Sequence, residues 1–156
     1  MRRRYALALS GIAAVVIATF AVLAYMNSPN SPPPEVVLDY NGNPHSGILY
    51  VSCWPTPPAN GTCPDAINIK LFPPLATLVT RNSSVTFQVL GHTSPSRVTV
   101  AIWTAGNGGS LLLGIKKDVT GPLPINYQSG TYYLSVFASW NDGRAVGYTF
   151  EITIPS

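Results

Sequence analysis

Two histidines and two cysteines are the residues of this chain best suited to hold a metal ion. His45 and His92 lie in stretches rich in Pro, Gly and Ser, away from Cys53 and Cys63 in the sequence. A blue-copper site would need Cys, His and Met close together, whereas the last methionine is Met26. The spacing therefore predicts no metal site and no cofactor.

Nucleophilic catalysis would need a base and a group that orients it, and only the two histidines could serve as the base. Neither lies in a Gly-x-Ser-x-Gly context. The aspartates are scattered, and Asp65, Asp118 and Asp142 occur where turns are expected. The glycine-rich residues 106–110 are typical of a hairpin loop, because no Lys-Ser/Thr pair or helix follows them. We therefore expect no catalytic residues and no enzymatic activity.

The clearest structural pattern is a β-hairpin with one apolar face at residues 130–154. Alternate residues are apolar on both arms: Tyr132, Leu134, Val136 and Ala138, then Tyr148, Phe150, Ile152 and Ile154. A two-residue Asp-Gly loop would place Glu151 opposite Leu134 on the core face. A three-residue loop, residues 141–143 with a left-handed Gly143, pairs Leu134 with Phe150 and Val136 with Tyr148. We predict the three-residue loop.

Further strands are expected at residues 35–40, 47–54, 67–72, 84–90, 97–103 and 111–116. Two of these segments alternate, and the core faces expected are Val85, Phe87 and Val89 in one and Val98, Val100 and Ile102 in the other. About seven or eight short strands at this spacing predict an all-β antiparallel sandwich. The pattern Tyr132-x-Leu134-x-Val136 after Gly130 resembles the tyrosine-corner strand of immunoglobulin and fibronectin type III domains. The resemblance implies an immunoglobulin-like fold.

The N-terminal residues predict a membrane anchor ahead of this domain. Residues 5–25 form a run of 21 without a charge, and as a helix they span roughly 31 Å, close to the hydrocarbon thickness of about 30 Å. The basic tail, residues 1–4, is expected in the cytoplasm. Residues 5–26 then form the transmembrane helix in the lipid bilayer, residues 27–34 a Pro-rich linker, and residues 35–156 a domain outside the cell.

A cleaved signal peptide is the rival interpretation of the same segment, because Val22-Leu23-Ala24 fits a small-residue cleavage site. The apolar run is longer than the usual core of a signal peptide, about 7–15 residues, which favours a retained anchor. No Cys follows directly on the run, which argues against a lipid-modified N-terminus.

Charge excludes nucleic acid as an expected partner. The chain has a net charge of +3, and Arg2, Arg3 and Arg4 account for all of it. The other basic residues number six (nine less these three) and are balanced by six acidic residues. The domain is therefore neutral and lacks the electrostatic footprint of a nucleic-acid-binding protein.

Outside a membrane, Cys53 and Cys63 are expected to form a disulfide that closes residues 54–62. Asn60-Gly61-Thr62 and Asn82-Ser83-Ser84 fit the glycosylation sequon and fall in predicted loops. They would be modified only in a host that glycosylates its exported proteins.

Two aromatic residues of the hairpin, Tyr133 and Phe137, are expected to point away from the core. In the predicted register Phe137 lies opposite Gly147, and the simplest explanation is an aromatic ring that covers a strand glycine. The alternative is an exposed aromatic surface that binds another envelope protein or a glycan.

The order of the marked residues resembles that of small uncharacterised extracytoplasmic proteins of Gram-positive-type bacteria, which carry a lipoprotein or membrane anchor before a β-domain. The residues concerned are Pro33-Pro34, Cys53-Trp54, Cys63-Pro64-Asp65, Trp103, Gly130, Tyr132, Val136, Ala138, Trp140, Gly143, Tyr148 and Phe150. The resemblance implies the disulfide and the extracytoplasmic address, and it implies no activity. This chain differs in having a plain transmembrane anchor.

We therefore expect a single-pass membrane protein that presents a non-catalytic binding or cell-envelope accessory module outside the cell. A pilin-like filament subunit is an alternative, since archaeal pilins also join a hydrophobic N-terminal helix to a β-sandwich. Against it, no Arg/Lys-Gly or Arg/Lys-Ala processing site precedes the apolar run. A secreted β-domain released by signal-peptide cleavage is the second alternative.

Overall fold

The computed structural model describes residues 16–22, 24, 31–59, 63, 76–106 and 109–156. The chain divides into two compact units, Met1–Pro32 and Pro33–Ser156. In the first unit, residues 16–22 and 24 are helical. Within the described residues, no helix is both long enough and apolar enough to cross a membrane. Most of the predicted anchor, residues 5–26, lies outside the described part of the chain.

The described part of the second unit forms two β-sheets. Its ten strands are β1 (Glu35–Tyr40), β2 (Asn43–Ser46), β3 (Ile48–Cys53), β4 (Thr77–Leu78), β5 (Ser83–Leu90), β6 (Arg97–Gly106), β7 (Gly109–Lys116), β8 (Leu123–Ile125), β9 (Gly130–Ser139) and β10 (Ala145–Ile154). One sheet has the order β2-β1-β5-β8, and the other has the order β3-β10-β9-β6-β7 with β4 beside β10. Only the β4–β10 pairing is parallel. The predicted all-β architecture of two antiparallel sheets is confirmed.

The β9–β10 hairpin has the predicted register. Leu134 pairs with Phe150 and Val136 with Tyr148. The loop consists of residues 141–143, since the Trp140 amide donates to the Arg144 carbonyl at 2.9 Å. Gly143 is left-handed, with a φ of 85°, a conformation that glycine adopts without steric cost. The hairpin therefore keeps Glu151 off the core face.

Apolar side chains from both sheets meet in one core. Phe150 and Leu134 of the hairpin are 2% and 0% exposed, and they share the core with Leu38 of β1 and Val85 of β5. Burying a side chain of this size contributes roughly 1.5–3 kcal/mol. The predicted core faces of β5 and β6 are confirmed, with Val85, Val100 and Ile102 fully buried and Phe87, Val89 and Val98 packed against the core as half-buried residues.

Three short strands, β2, β4 and β8, were not predicted from the alternation of apolar residues. β2 follows a turn at Asn41 and Gly42, both of positive φ, which suits a two-residue hairpin. β2 and β8 each contain a proline, Pro44 and Pro124, and both are edge strands, where proline is tolerated. The strand predicted at residues 67–72 lies outside the described residues.

The crossing from β8 in one sheet to β9 in the other is held by Tyr132. Its hydroxyl donates to the Gln128 carbonyl at 2.9 Å, and its ring lies 5.1 Å from that of Tyr127 between centroids. Gln128 belongs to the connection between the two strands. The hydrogen bond therefore fixes the start of β9 to the corner that precedes it.

Gly147 of β10 occupies the tightest site among the strand glycines. The predicted pairing of Phe137 with Gly147 is present, but the atoms nearest to a Cβ at this position belong to β3. A Cβ would lie 2.5 Å from both Tyr50 Cζ and Val51 Cγ1, at a register shift between β3 and β10. Glycine is therefore required here because the neighbouring strand fills the space that a side chain would need.

We expect Gly147→Ala to lower the unfolding free energy by about 1–3 kcal/mol, because the added methyl group overpacks against Tyr50 and Val51. Gly114→Ala is the matched control, since a Cβ on this strand glycine would meet nothing within 4 Å. Urea unfolding followed by circular dichroism measures both variants. An equal loss in the two would contradict the packing explanation.

Candidate functional site

Three loops converge at the end of the sandwich that also carries the disulfide, here called the disulfide end. They are residues 54–59 after β3, residues 91–96 between β5 and β6, and residues 140–144 between β9 and β10. The register brings them together, because Cys53 pairs with Ala145 and Arg97 pairs with Ser139. Loops held at one end of a rigid sandwich are a common place for binding residues.

The predicted disulfide is present at this end. Cys53 Sγ and Cys63 Sγ are bonded at 2.05 Å, and the two Cα atoms are 5.9 Å apart. Cys53 is the last residue of β3, and Cys63 is buried. The bond therefore links the end of β3, an edge strand of the six-stranded sheet, to a residue 10 positions further along the chain.

Trp54, His92 and Trp140, one from each loop, form an aromatic cluster. The ring centroids of Trp54 lie 4.5 Å from His92 and 5.2 Å from Trp140, and those of His92 and Trp140 are 5.7 Å apart. All three contacts are edge-on, an arrangement that aromatic pairs prefer. Trp140 Nε1 donates to the Thr93 carbonyl at 2.9 Å. The cluster therefore ties the three loops to one another.

An ion pair lies against the aromatic cluster. The Arg144 guanidinium carbon is 4.3 Å from the centroid of the Trp54 ring, a cation–π contact. Arg144 Nη2 lies 2.6 Å from Asp142 Oδ2, and the Arg144 side chain is only 13% exposed. The hydrogen bond from Arg144 is the main cause that lowers the pKa of the Asp142 carboxyl, which therefore stays ionised. Both charges of the pair are held in fixed positions.

The surroundings of His92 favour the neutral form of its imidazole. Burial is the main cause that lowers its pKa, and the positive charge of Arg144 lowers it further, while Asp142 acts in the opposite direction. His92 Nδ1 and Thr93 Oγ1 are 2.9 Å apart. Among the described residues, no carboxylate hydrogen-bonds to His92.

A cleft of about 320 Å³ opens beside the aromatic cluster. Phe87, Val89, Val98 and Val119 form its apolar walls, and residues 94–96 close one side. At the cleft Arg97 Nε donates to Asp118 Oδ1 at 3.1 Å, with both side chains well exposed. The volume is at the lower end of the range for small-molecule sites, about 300–1,000 Å³.

Loop 91–96 is common to the aromatic cluster and the cleft. Its first half contributes His92 and the Thr93 carbonyl to the cluster. Its second half, residues 94–96, lines the cleft. The Ser96 amide and hydroxyl both donate to the Ser139 carbonyl at 2.9 Å, which fixes the end of the loop to β9. The two features are thus neighbouring parts of one site.

The structure separates the residues that could have formed a metal site. His45 lies in β2, in the four-stranded sheet, whereas His92 lies at the disulfide end, and both cysteines are in the disulfide. Within the described residues, no group of three His, Cys, Asp or Glu side chains is placed to hold a metal ion. Asn82 is exposed in the turn before β5, whereas Asn60 lies outside the described residues.

Tyr133 and Phe137 lie on the outer face of the six-stranded sheet and are half-buried. Burial is the main cause that raises the pKa of the Tyr133 hydroxyl, and the nearby Glu151 raises it further. Four buried polar atoms of the described residues lack a hydrogen-bond partner, namely Trp103 Nε1, Ser135 Oγ, Thr149 Oγ1 and Glu151 Oε2. Strand alternation puts all four on this outer face. The proposed aromatic interaction surface stays a prediction.

Trp54, Trp140 and Arg144 were not predicted to be members of one site. Trp140 continues the apolar alternation of β9 into the loop, and this was the available signal for Trp140. No local signal joins Trp54 to His92 or Arg144, because these contacts arise only when β3 and the β5–β6 loop meet the hairpin.

We expect loss of the disulfide in Cys53→Ser/Cys63→Ser to reduce the unfolding free energy by about 2–3 kcal/mol, because an open loop regains entropy in the unfolded chain. Urea unfolding of the variant and of the native protein, each with and without a reductant, measures the effect. The reductant should destabilise the native protein and leave the variant unchanged. Destabilisation of both by the reductant would contradict this account.

The His92 environment predicts a pH-dependent stability. Because the folded-state pKa lies below the unfolded value of about 6.5, the unfolded chain binds the proton more readily between the two values. Stability should therefore fall as the pH is lowered from about 7.5 to about 5. The pKa of the Asp142 carboxyl is also lowered, so protonation of this group reduces stability only at lower pH, below the ordinary carboxyl range.

Thermal unfolding midpoints across this pH range test the prediction. His92→Gln should flatten the decline, whereas His45→Gln, which changes the histidine of β2 in the other sheet, should keep it. If the unfolding midpoint of His92→Gln fell by the same amount, groups other than His92 would be responsible.

The site is thus defined by this chain's own geometry: a disulfide-closed loop, an aromatic cluster against an ion pair, and an adjoining cleft. No protein-family model, no curated protein and no solved structure matches the chain. The case for a function therefore depends on these residues alone.

Proposed function

We propose that this chain is a single-pass membrane protein whose residues 35–156 act outside the cell as a non-catalytic binding or cell-envelope accessory module. The observation that carries the proposal is the disulfide end, where three loops hold an aromatic cluster beside a cleft of about 320 Å³. A rigid β-scaffold with ordered side chains on its loops needs little reorganisation to bind a partner.

An immunoglobulin-like fold is part of the proposal. The strand order β1-β5-β8 in one sheet and β10-β9-β6-β7 in the other matches the division into strands A, B and E and strands G, F, C and C′. The hydrogen bond from Tyr132 back to Gln128 supports the same fold, because a tyrosine corner uses this contact at the start of strand F.

The extracytoplasmic address is supported by the disulfide and by the N-terminal sequence. Disulfides persist in oxidising compartments and are rare in the cytosol. The uncharged run at residues 5–25, preceded by three arginines, has the length and flanking charge of an anchor whose N-terminus faces the cytoplasm.

The cleft indicates the kind of group that the module binds. Its walls are aliphatic and aromatic, while Arg97 and Asp118 offer exposed charges of both signs beside it. A ring or side chain of an envelope protein or glycan would enter the cleft with its apolar part and hydrogen-bond to this ion pair. In ligand sites, apolar walls usually bury the ligand and a few polar groups fix its orientation.

The intact mass of the native protein extracted from membranes tests the address. We expect the mass of residues 1–156 less two hydrogens, for a retained anchor and a closed disulfide. A mass beginning near Leu7 would indicate pilin-type processing and a filament subunit. A mass beginning near Tyr25 would indicate a secreted β-domain.

Photo-crosslinking in intact cells tests the binding role. A photoreactive amino acid at Val119, in the cleft, should give a discrete adduct. The same group at Leu78, which is 69% exposed on β4, should not give that adduct. Arg97→Gln should weaken the adduct at Val119. Identical adducts at the two positions, or none at either, would contradict a binding role for the cleft.

A further inference from the structure

The edge strand β7 exposes a row of large apolar side chains. Leu111 is 63% exposed, and Leu112, Leu113 and Ile115 are 39%, 42% and 42% exposed. We call these four residues the β7 patch. The strand is the last of its sheet, and no described strand pairs with its outer side. In the β6–β7 register Leu112 and Ile115 lie on the outer face of the sheet, whereas Leu111 and Lys116 lie on the opposite face. The patch therefore flanks the exposed edge on both faces, and large exposed apolar groups mark contact surfaces.

The charges next to the β7 patch are positive. Lys116 and Lys117 follow directly on it and are exposed. The acidic residue that comes next, Asp118, is paired with Arg97 at 3.1 Å. Among the described residues neither lysine is in an ion pair, so the two add positive charge beside the apolar side chains, although the domain as a whole is neutral.

The backbone of β7 argues against a second copy adding to this edge as a further strand. The β6–β7 register shifts between Ile102 and Trp103, which pair with Gly114 and Leu112, so Leu113 is the extra residue of a bulge. Bulges and edge lysines are devices that prevent edge-to-edge strand pairing. The apolar side chains remain available to a partner that does not pair with the backbone of β7.

The chain enters the domain near the lysine end of β7. Glu35, the first residue of β1, pairs with Leu90, and the loop from Leu90 leads to Arg97 at the start of β6. Lys116 pairs with Val100, three residues further along β6. The residues that connect the domain to the N-terminal segment and the two lysines therefore lie towards the same end of the sandwich.

We propose that the β7 patch, with Lys116 and Lys117, binds the surface of an anionic phospholipid bilayer, an inference that rests on the proposed membrane anchor. Apolar side chains enter the boundary between headgroups and acyl chains, and lysines attract anionic headgroups. The extended Pro-rich linker predicted at residues 27–34 reaches roughly 25 Å, which keeps the domain within range of the bilayer. The headgroup region is hydrated, so the free edge of β7 keeps water as its hydrogen-bond partner.

Site-specific fluorescence of the full chain in liposomes tests the proposal. Because both native cysteines are in the disulfide and no other is present, Leu112→Cys provides a single thiol for an environment-sensitive label. Leu78→Cys, on the opposite edge of the sheet and more exposed, is the matched control. The liposomes contain phosphatidylcholine alone or with phosphatidylglycerol, and a spin-labelled lipid serves as the quencher.

With phosphatidylglycerol, the label at position 112 should shift to the blue and be quenched, while the label at position 78 should stay unquenched. Adding Lys116→Gln/Lys117→Gln should weaken this contact on the order of thirtyfold, at about 1 kcal/mol for each lysine. Equal quenching at both positions, or none at position 112, would overturn the proposal. Disulfide-linked dimers of unlabelled Leu112→Cys would overturn it in favour of a second copy.

Alkaline extraction of the same liposomes separates this proposal from the proposed anchor. Protein that resists extraction but is not quenched at position 112 retains the anchor and refutes the β7 contact. Protein that is extracted refutes the anchor. In that case flotation with added phosphatidylglycerol vesicles, absent with phosphatidylcholine alone, would still support the β7 contact, and no flotation would refute it.

Discussion

The register of the β9–β10 hairpin is the constraint on which the rest of the domain depends. A slip of one residue would turn Glu151 towards the core and Phe150 towards solvent. The left-handed Gly143 prevents this slip by closing a three-residue loop. β3 and β4 then pair with β10, and β6 pairs with β9. Most of the six-stranded sheet is therefore aligned by one loop, and the four-stranded sheet packs on the apolar face that results.

The same constraint builds the candidate site. Trp140 is the last residue before the hairpin loop, and its indole N–H reaches the Thr93 carbonyl in loop 91–96. Arg144 is the first residue after that loop and lies over Trp54. The loop that sets the register of the core thus also presents a ring and a cation to the other two loops. The stability of the core and the geometry of the candidate site therefore share their origin.

Much of the fold could be predicted because its signals are local. Alternation marked β9 and β10, and the two cysteines marked the disulfide. β2 and β8 were not predicted because strands of four and three residues, each with a proline, are too short for an alternation to be recognised, and the two-residue β4 is shorter still. The pairing of Phe137 with Gly147 was predicted, but the crowding of that glycine by Tyr50 and Val51 was not. Their approach depends on a register shift between distant segments, which no local pattern reveals.

Loop 91–96 has a consequence for how this domain can diverge. Surface loops ordinarily accept insertions and deletions with little cost. This loop is held by Trp140 at Thr93 and by Ser139 at Ser96, and it borders both the aromatic cluster and the cleft. A change in its length would alter both at once. Under the proposed binding role, variation in recognition is therefore expected to come from side-chain replacement at fixed loop length, with insertions accepted elsewhere, such as in the β1–β2 turn.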